Sequence, residues 1–219
     1  RQRIALDRCY DSILGEISKV VDVARRSAAR STNCIMTAAY WMIGRQIVES
    51  EQKGESRAAY GEELLERLSA DLSRRHGRGF SRQNLQQMRQ FYLLYPPEQI
   101  CQTVSGESVS SPNAIICQTA SGISQRVSAE SSLVGMARCF PLPWSAYVRL
   151  LAVKSEHARR FYETEALRGG WSVRQLDRQI NAQFYERTAL SRDKAAMLAK
   201  GQKALPEDRV TPEQAIKDP

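Results

Sequence analysis

The sequence predicts an all-α protein, and three observations support this fold class. Apolar residues recur every three or four positions along most of the chain, which is the spacing of one face of an amphipathic helix. Ser, Asn and Gly stand where these runs begin and end, as helix caps do. Prolines also bound the runs, since a proline ring cannot continue a helix.

Two helices are predicted before residue 54. The first covers about residues 4–23. Asn33 caps the second, which runs to about residue 51 and is ended by Gly54. The apolar stripe of the first helix consists of Ile13, Ile17, Val20 and Val21.

Two more helices complete a first lobe, which we place at residues 1–95. The third helix covers about residues 57–75. Ser81 caps the fourth, which ends before Pro96 and Pro97. The buried stripe predicted for the third helix is Leu64, Leu65, Leu68 and Leu72.

Residues 96–142 differ in composition, and we predict a flexible low-complexity insert there. The segment is rich in Ser, Thr, Gly and Pro, and residues 100–106 are nearly repeated as residues 116–122. Two copies are fewer than the roughly three units that a solenoid needs. We therefore expect a mobile connection between two helical lobes.

The second lobe is predicted over residues 143–190. One helix follows Pro143, another covers about residues 155–167, and Ser172 caps a third that runs to about residue 187. Residues 191–219 begin as helix and pass into proline and charged residues, which is typical of a linker. The chain begins without Met and ends in a polar run, so we expect a longer protein with a further domain downstream.

Composition narrows the classes of function. The net charge of +8 and a pI of about 9.4 suit a polyanionic partner such as DNA. Five cysteines without a CxxC pair, and two histidines without a ligand neighbour at helical spacing, predict neither a metal site nor a disulfide framework. We expect a cytoplasmic protein without a cofactor, a small-molecule ligand or a membrane span.

One local pattern occurs twice, 91 positions apart, at residues 79–85 and 170–176. Each copy has Gly, an aromatic residue, Ser, three further residues and Leu. The Gly permits a tight turn, the aromatic side chain anchors it to the core, and the Ser caps the next helix. This order of features predicts two helix-turn-helix-like units.

The helix after each turn exposes side chains that can contact DNA. At 100° per residue, the faces opposite Leu85 and Leu176 carry amides and guanidinium groups, which suit bidentate contacts with adenine and guanine. The candidate DNA-binding residues are Arg82, Gln83, Gln86, Gln87, Gln90, Arg174, Arg178 and Asn181. The candidate phosphate contacts are Arg74, Arg75 and Arg78. The alternative interpretation is that these are ordinary solvated helix faces.

No catalytic motif is recognisable in the chain. It contains no Gly-rich phosphate loop, no HExxH or GxSxG motif, and no strand-borne acidic pair followed by Glu-x-Lys. Glu62, Glu63 and Glu66 cluster, but on a helix they are expected to form a solvated face. We therefore predict that this chain is not itself an enzyme.

Several motifs resemble the N-terminal domain of the bacterial YhcG family, over about residues 20–190 apart from the insert. In the first lobe they are Tyr40-Trp41-x-Ile43-Gly44-Arg45-x-Ile47-Val48-Glu49, Tyr60-Gly61-Glu62, Leu68-Ser69-x-Asp71-Leu72, Gly77-Arg78-Gly79-Phe80-Ser81-x-x-Asn84-Leu85 and Met88-Arg89-x-Phe91-Tyr92. In the second lobe they are Pro143-Trp144-Ser145-x-Tyr147, Phe161-Tyr162 and Gly170-Trp171-Ser172-x-Arg174-x-Leu176-x-Arg178-Gln179-Ile180.

The resemblance implies a DNA-binding or assembly domain that precedes a nuclease domain of the PD-(D/E)xK type. In that family the nuclease domain begins just after a Lys-Asp-Pro like residues 217–219. Two functions remain open at this point. The chain either positions the nuclease on DNA, or it is a helical dimerisation or docking domain whose first helix pairs with a second copy.

Overall fold

The computed structural model of the chain describes residues 2–53, 58–97, 132–205 and 208. Every regular element in these ranges is a helix, which confirms the all-α prediction. The α-helices are α1 (Gln2–Lys53), α2 (Ala58–His76), α3 (Arg82–Leu94), α4 (residues 132–137), α5 (Trp144–Leu151), α6 (Glu156–Gly169), α7 (Val173–Asn181), α8 (Phe184–Leu190) and α9 (Lys194–Gly201).

The two helices predicted before residue 54 form one continuous helix, α1, so the prediction of a cap at Asn33 is wrong. Residues 24–32 contain three Ala and three Arg but no Gly or Pro. Ala and Arg are strong helix formers, and nothing in this stretch interrupts the backbone hydrogen bonds. Asn33 therefore lies inside the helix. Gly54 lies outside the described residues.

The C-terminal half of α1 packs against α3 at very short range. A Cβ atom placed on Gly44 would lie 2.0 Å from the carbonyl oxygen of Met88, so the two backbones meet where only a glycine fits. Arg89 of α3 also pairs with Glu51 of α1, with 2.7 Å between Nε and Oε2. These contacts fix the position of α3 on α1.

Phe91 lies at the centre of an aromatic cluster that joins the two predicted lobes. Its ring centroid is 4.9 Å from that of Tyr147, 5.1 Å from that of Phe140 and 5.4 Å from that of Trp144. All four side chains are buried. Residues on both sides of the predicted insert therefore belong to one hydrophobic core.

The C-terminal boundary predicted for the insert is wrong. Residues 132–137 form α4, and Met136, Ala137, Phe140 and Leu142 are buried in the common core. These apolar residues follow the polar part of the segment, and their burial orders the backbone. The rest of the predicted insert, residues 98–131 with the near-repeat, lies outside the described residues.

Most other helix boundaries lie where the sequence predicts them, and the exception is the helix predicted after Ser172. Helices α2, α3, α5 and α6 agree with the prediction to within a few residues, although only Leu65 of the leucine stripe on α2 is fully buried. The helix predicted from Ser172 to about residue 187 is divided into α7 and α8. Gln183 adopts a left-handed conformation, with φ of 50° and ψ of 47°, which a helix cannot contain.

The first part of the segment predicted as a linker is folded against the second lobe. Gly201, at the end of α9, contacts the Phe184 ring so closely that an added Cβ would lie 2.4 Å from Cζ. The buried amide of Gln175 donates to the carbonyl oxygen of Gly201 at 3.1 Å. Thus α9 belongs to the globular part of the chain, whereas residues 209–219 lie outside the described residues.

Candidate nucleic-acid interface

The first predicted turn has the conformation that its sequence indicates. Gly77 and Gly79 have φ values of 83° and 108°, which favour glycine. Ser81 caps α3, and its Oγ accepts a hydrogen bond from the backbone N–H of Asn84 at 3.2 Å. The Asn84 side chain donates to the carbonyl of Gly79 and accepts from Nε1 of Trp144 at 3.0 Å. The turn is thereby tied to α5.

The second turn repeats these features. Gly170 ends α6 in a left-handed conformation with φ of 60°. Trp171 is buried, with its ring centroid 6.0 Å from that of Phe184. The Oγ of Ser172 accepts from the backbone N–H of Gln175 at 3.2 Å and caps α7. Both candidate helices therefore begin at well-anchored positions.

Most of the candidate side chains of α3 face solvent. Gln83, Gln86 and Gln90 are exposed, and Gln87 is half-buried. Arg82 at the start of the helix lies 3.7 Å from a carboxylate oxygen of Glu62 and 3.7 Å from one of Glu66. These are long, exposed ion pairs of little energy, so the Arg82 guanidinium can exchange them for phosphate oxygens. The two glutamates behave as the solvated face predicted for them.

Arg178, a candidate on α7, is engaged within the chain. Its Nη1 and Nη2 donate to Oδ1 and Oδ2 of Asp208 at 3.0 and 2.7 Å, and Asp208 also accepts from the backbone N–H of Leu205 at 2.7 Å. Asp208 is buried. Such a bidentate pair is strong, because two parallel N–H groups of the charged guanidinium donate to the two oxygens of the ionised carboxylate. The sequence pattern could not reveal it, since 30 residues separate the partners.

The other α7 candidates are exposed. Arg174 and Asn181 both face solvent, and Nδ2 of Asn181 donates to Oδ2 of Asp177 at 3.3 Å. Arg174 is the exposed basic candidate on α7; its charge, like that of Arg178, lowers the pKa of Asp208, but the bidentate hydrogen bonds to that carboxylate come from Arg178. The structure places the two members of the predicted arginine pair in different environments.

Helix α5 connects the exposed faces of α3 and α7. At its C-terminal end, the carbonyl oxygen of Leu151 lies 3.4 Å from Nε2 of Gln90. Two residues earlier, Nε of Arg149 lies 3.4 Å from Oδ1 of Asp177. The polar faces of both helices therefore border one surface, which we call the α3–α5–α7 surface.

Arg149 is a candidate that the sequence analysis missed. Its side chain is 54% exposed and pairs with Asp177 of α7, and its helix packs against both predicted recognition helices. A signal was present, since Arg149 is the one charged residue in the eight residues of α5. The helix carries no turn motif of its own, however, and its place in the surface depends on tertiary packing.

The three candidate phosphate contacts lie at the end of α2 and in the following turn. Arg74, Arg75 and Arg78 are all exposed. Arg74 forms an i,i+3 ion pair with Asp71, and a cation in the last turn also stabilises the helix dipole. The three arginines lie beside α3, where they could contact phosphates. Those in the last turn of α2 also stabilise the helix dipole, which is a structural reason for their charge.

A partly buried polar cluster borders the core, with Tyr147 as its buried member. Oε1 of Glu163 accepts from the Tyr147 hydroxyl at 2.9 Å, and Oε2 accepts from that of Tyr95 at 3.3 Å. Burial raises the pKa of Glu163 and outweighs these hydrogen bonds, which lower it. The cluster joins α6 to α5 and to the end of α3, so we assign it to stability. Among the described residues, no group of three potential metal ligands occurs.

The Arg178–Asp208 pair leads to a pH-dependent prediction. The hydrogen bonds from Arg178 lower the pKa of Asp208 below its ordinary value. A lowered folded-state pKa means that the pair stabilises the fold above the unfolded-state pKa, near 3.9, and that this contribution is lost as the pH falls through the folded-state value. We expect Asp208→Asn to lower the melting temperature by a few degrees at pH 7, and by progressively less as the pH falls through the folded-state pKa of Asp208.

Glu63→Gln is the control for this measurement, because Glu63 is an exposed carboxylate on α2. It should leave the melting temperature unchanged across the acid range. A difference between Asp208→Asn and the wild type that did not shrink as the pH was lowered would contradict the assignment to the ionised pair.

Comparison with known proteins identifies the family. The model of the DUF1016 N-terminal domain matches residues 16–187. The chain belongs to the DUF1016 N-terminal domain family. A curated relative is "Putative nuclease YhcG" of Escherichia coli strain K12. It is 53% identical to this chain in an alignment 220 residues long, which covers 96% of this chain. The resemblance to the YhcG family is thereby confirmed.

This DUF1016 N-terminal domain spans about half of its curated relative, because the match covers 54% of that protein. No solved structure is significantly similar to the chain. None of the described helices is both long enough and apolar enough to span a membrane.

Proposed function

We propose that this chain is the DNA-binding module of a bacterial nuclease and positions a C-terminal PD-(D/E)xK domain on its substrate. The observation that carries the proposal is the α3–α5–α7 surface. Two helices, each entered through an anchored and capped turn, border this surface with exposed amides and guanidinium groups, and Arg149 of α5 pairs with Asp177 of α7. Helix-turn-helix proteins present their recognition helices to DNA in a comparable way.

The side chains available on this surface suit DNA. Gln83, Gln86 and Gln90 can each make two hydrogen bonds to adenine, and Arg174 can do so with guanine. Arg149 and the basic end of α2 can contact phosphates, which dominate affinity. We give Arg178 a secondary role, because a DNA contact would first have to displace Asp208.

The curated relative supports assigning DNA binding and DNA hydrolysis to different halves of the protein. Its printed name is that of a nuclease, and this chain corresponds to about half of it. We assign the hydrolytic chemistry, with its metal ions, to the other half, and only binding to this chain. A DNA-binding role in a bacterium also places the protein in the cytoplasm.

The proposal is tested by DNA titrations of the Arg149→Ala/Arg174→Ala variant. Fluorescence anisotropy with duplex, branched and single-stranded DNA at several salt concentrations gives both the affinity and its salt dependence. Each lost phosphate contact should reduce the slope of log K against log salt by about 0.9, and a lost base contact should cost about 1–3 kcal/mol.

Arg160→Ala is the matched control, since Arg160 of α6 is 61% exposed and forms an i,i+4 ion pair with Glu156 of the same helix. It removes one positive charge, as each of the two tested substitutions does, and should change neither the affinity nor the salt slope appreciably. Gln83→Ala/Gln87→Ala should alter sequence preference without changing the salt slope, because neutral amides release no counterions. Equal affinities of the wild type and both double variants at low salt would contradict the assigned surface.

The alternative interpretation, a helical dimerisation domain, concerns a different part of the chain. Residues 10–28 of α1 are exposed, and the core begins farther along the helix. The two roles are compatible, and the DNA titrations above do not depend on the α1 segment.

A further inference from the structure

The N-terminal part of α1 exposes an apolar stripe. All residues from 10 to 28 are exposed, although many of them are large and apolar; we call this segment the arm. At 1.5 Å per residue the arm is about 28 Å long. The side chains of the stripe, 41–68% exposed, are Tyr10, Ile13, Leu14, Ile17, Val20 and Val21.

The spacing within the arm is that of a coiled coil. Positions 10, 13, 17, 20, 24 and 27 alternate steps of three and four residues, which defines a heptad seam, and Leu14 and Val21 flank it on one side. The six side chains of the stripe follow one another along one face of the helix and are 41–68% exposed, which makes an apolar patch of the kind that marks an interaction site.

We infer that the arm pairs with the arm of a second copy of this chain, in antiparallel orientation. Such an interface is isologous, so one stripe serves both chains and closes as a two-fold dimer. This inference is independent of the proposed DNA surface, which is formed by other helices.

The sizes of the side chains favour the antiparallel orientation. The seam tapers from Tyr10, Ile13 and Ile17 to Ala24 and Ser27. In an antiparallel pair centred between residues 18 and 19, Tyr10 lies opposite Ser27 and Ile13 opposite Ala24, while Ile17 and Val20 face each other at the centre. Packing at uniform density is then possible at one interhelical distance. A parallel pair would place large against large at one end and leave a gap at the other.

The charges favour the same orientation. The N-terminal half of the arm carries only acids, Asp11 and Glu16, whereas the C-terminal half has a net positive charge from Lys19, Asp22, Arg25 and Arg26. Antiparallel pairing centred between residues 18 and 19 brings Asp11 level with the partner's Arg26, with the partner's Arg25 next to it. Parallel pairing would place like charges side by side. The mixture of acids and bases on the polar face also argues against a membrane surface, which favours Lys- and Arg-rich helices.

The oligomeric state is the first test. Sedimentation or light scattering at about 100 µM should give twice the chain mass of 24.7 kDa. Ile17→Glu places two carboxylates in the dry seam and should raise the Kd at least about 100-fold, restoring the mass of one chain. Ser18→Glu adds the same charge one position off the seam and should leave the dimer intact. Circular dichroism of both variants verifies that the fold is retained.

Cysteine cross-linking tests the orientation, in a chain whose five native cysteines are replaced by Ser. An antiparallel pair separates Ile13 from the partner's Ile13 by 11 residues, about 16 Å along the axis, whereas a disulfide needs Cα atoms within about 7 Å. Ile13→Cys alone and Ala24→Cys alone should therefore not cross-link. A mixture of the two chains should form a disulfide-linked heterodimer on mild oxidation.

Three results would overturn the inference. A monomer at 100 µM would mean that something other than a second copy covers the stripe, such as the remainder of a longer protein. A dimer that survives Ile17→Glu would place the interface elsewhere. Cross-linking of Ile13→Cys chains to each other would show parallel pairing. None of these results would affect the DNA titrations of the Arg149→Ala/Arg174→Ala variant, so the two proposals can fail separately.

Discussion

Gly44→Ala should destabilise the fold more than any other single methyl group added to the described helices. The new Cβ would lie 2.0 Å from the carbonyl oxygen of Met88 and 2.7 Å from its carbonyl carbon. Both atoms belong to the backbone of α3, so no side-chain rotation can relieve the contact. Overpacking typically costs about 1–3 kcal/mol, and we expect at least the upper value because two helices must separate. At about 2–4 °C per kcal/mol, the melting temperature should fall by roughly 10 °C.

Gly15→Ala is the matched control for this prediction. Gly15 lies in the same helix, and an added Cβ would meet no atom within 4 Å. Replacing an exposed helical glycine by alanine favours the helix by up to about 1 kcal/mol. The two variants thus make the same chemical change with opposite expected signs. A Gly44→Ala variant as stable as the wild type in thermal unfolding would contradict the close contact between α1 and α3.

Phe91→Ala should cost about 3–5 kcal/mol, as is usual for a buried phenylalanine. Phe91 is fully buried, and its ring contacts Tyr95, Phe140, Trp144 and Tyr147 at centroid distances of 4.9–5.4 Å. Because these rings come from both sides of the segment once predicted to separate two lobes, the loss should affect the whole domain. We expect a single cooperative transition at lower temperature, together with a weaker near-ultraviolet circular dichroism signal.

Leu93→Ala provides the comparison on the same helix. Leu93 is 49% exposed, so its truncation should cost less than about 1 kcal/mol. Separate unfolding transitions in Phe91→Ala, one of them at the wild-type temperature, would show that the lobes are independent. That result would contradict the common core.

The helix boundaries show how far local sequence signals extend. Ser81 and Ser172 each cap a helix as predicted, and Ser155, predicted only as the start of a helix, also caps one, because a capping hydroxyl bonds a backbone N–H only three residues away. The prediction of a break near Asn33 is wrong for a related reason. An N-cap forms only where a helix begins, and residues 24–32 contain nothing that ends the preceding helix before Asn33.

The candidate interface was predictable in part. The amides of α3 and Arg174 were located by periodicity, and the structure places most of them at the surface. Arg149 was missed, and so was the pairing of Arg178 with Asp208. Both omissions involve residues that contact one another across 28–30 positions. Periodicity along one helix carries no information on which other helix lies beside it.

The sequence by itself therefore determined the helical class, the positions of most caps and turns, the stripe on the arm and the family to which the chain belongs. These features depend on interactions within about four residues, or on residue order alone. Only the tertiary structure decided that residues 132–142 belong to the core, that α5 joins α3 to α7, and that Asp208 holds Arg178. Those outcomes depend on which apolar surfaces pack together. That choice is made by the shape and volume of the whole core rather than by any local segment.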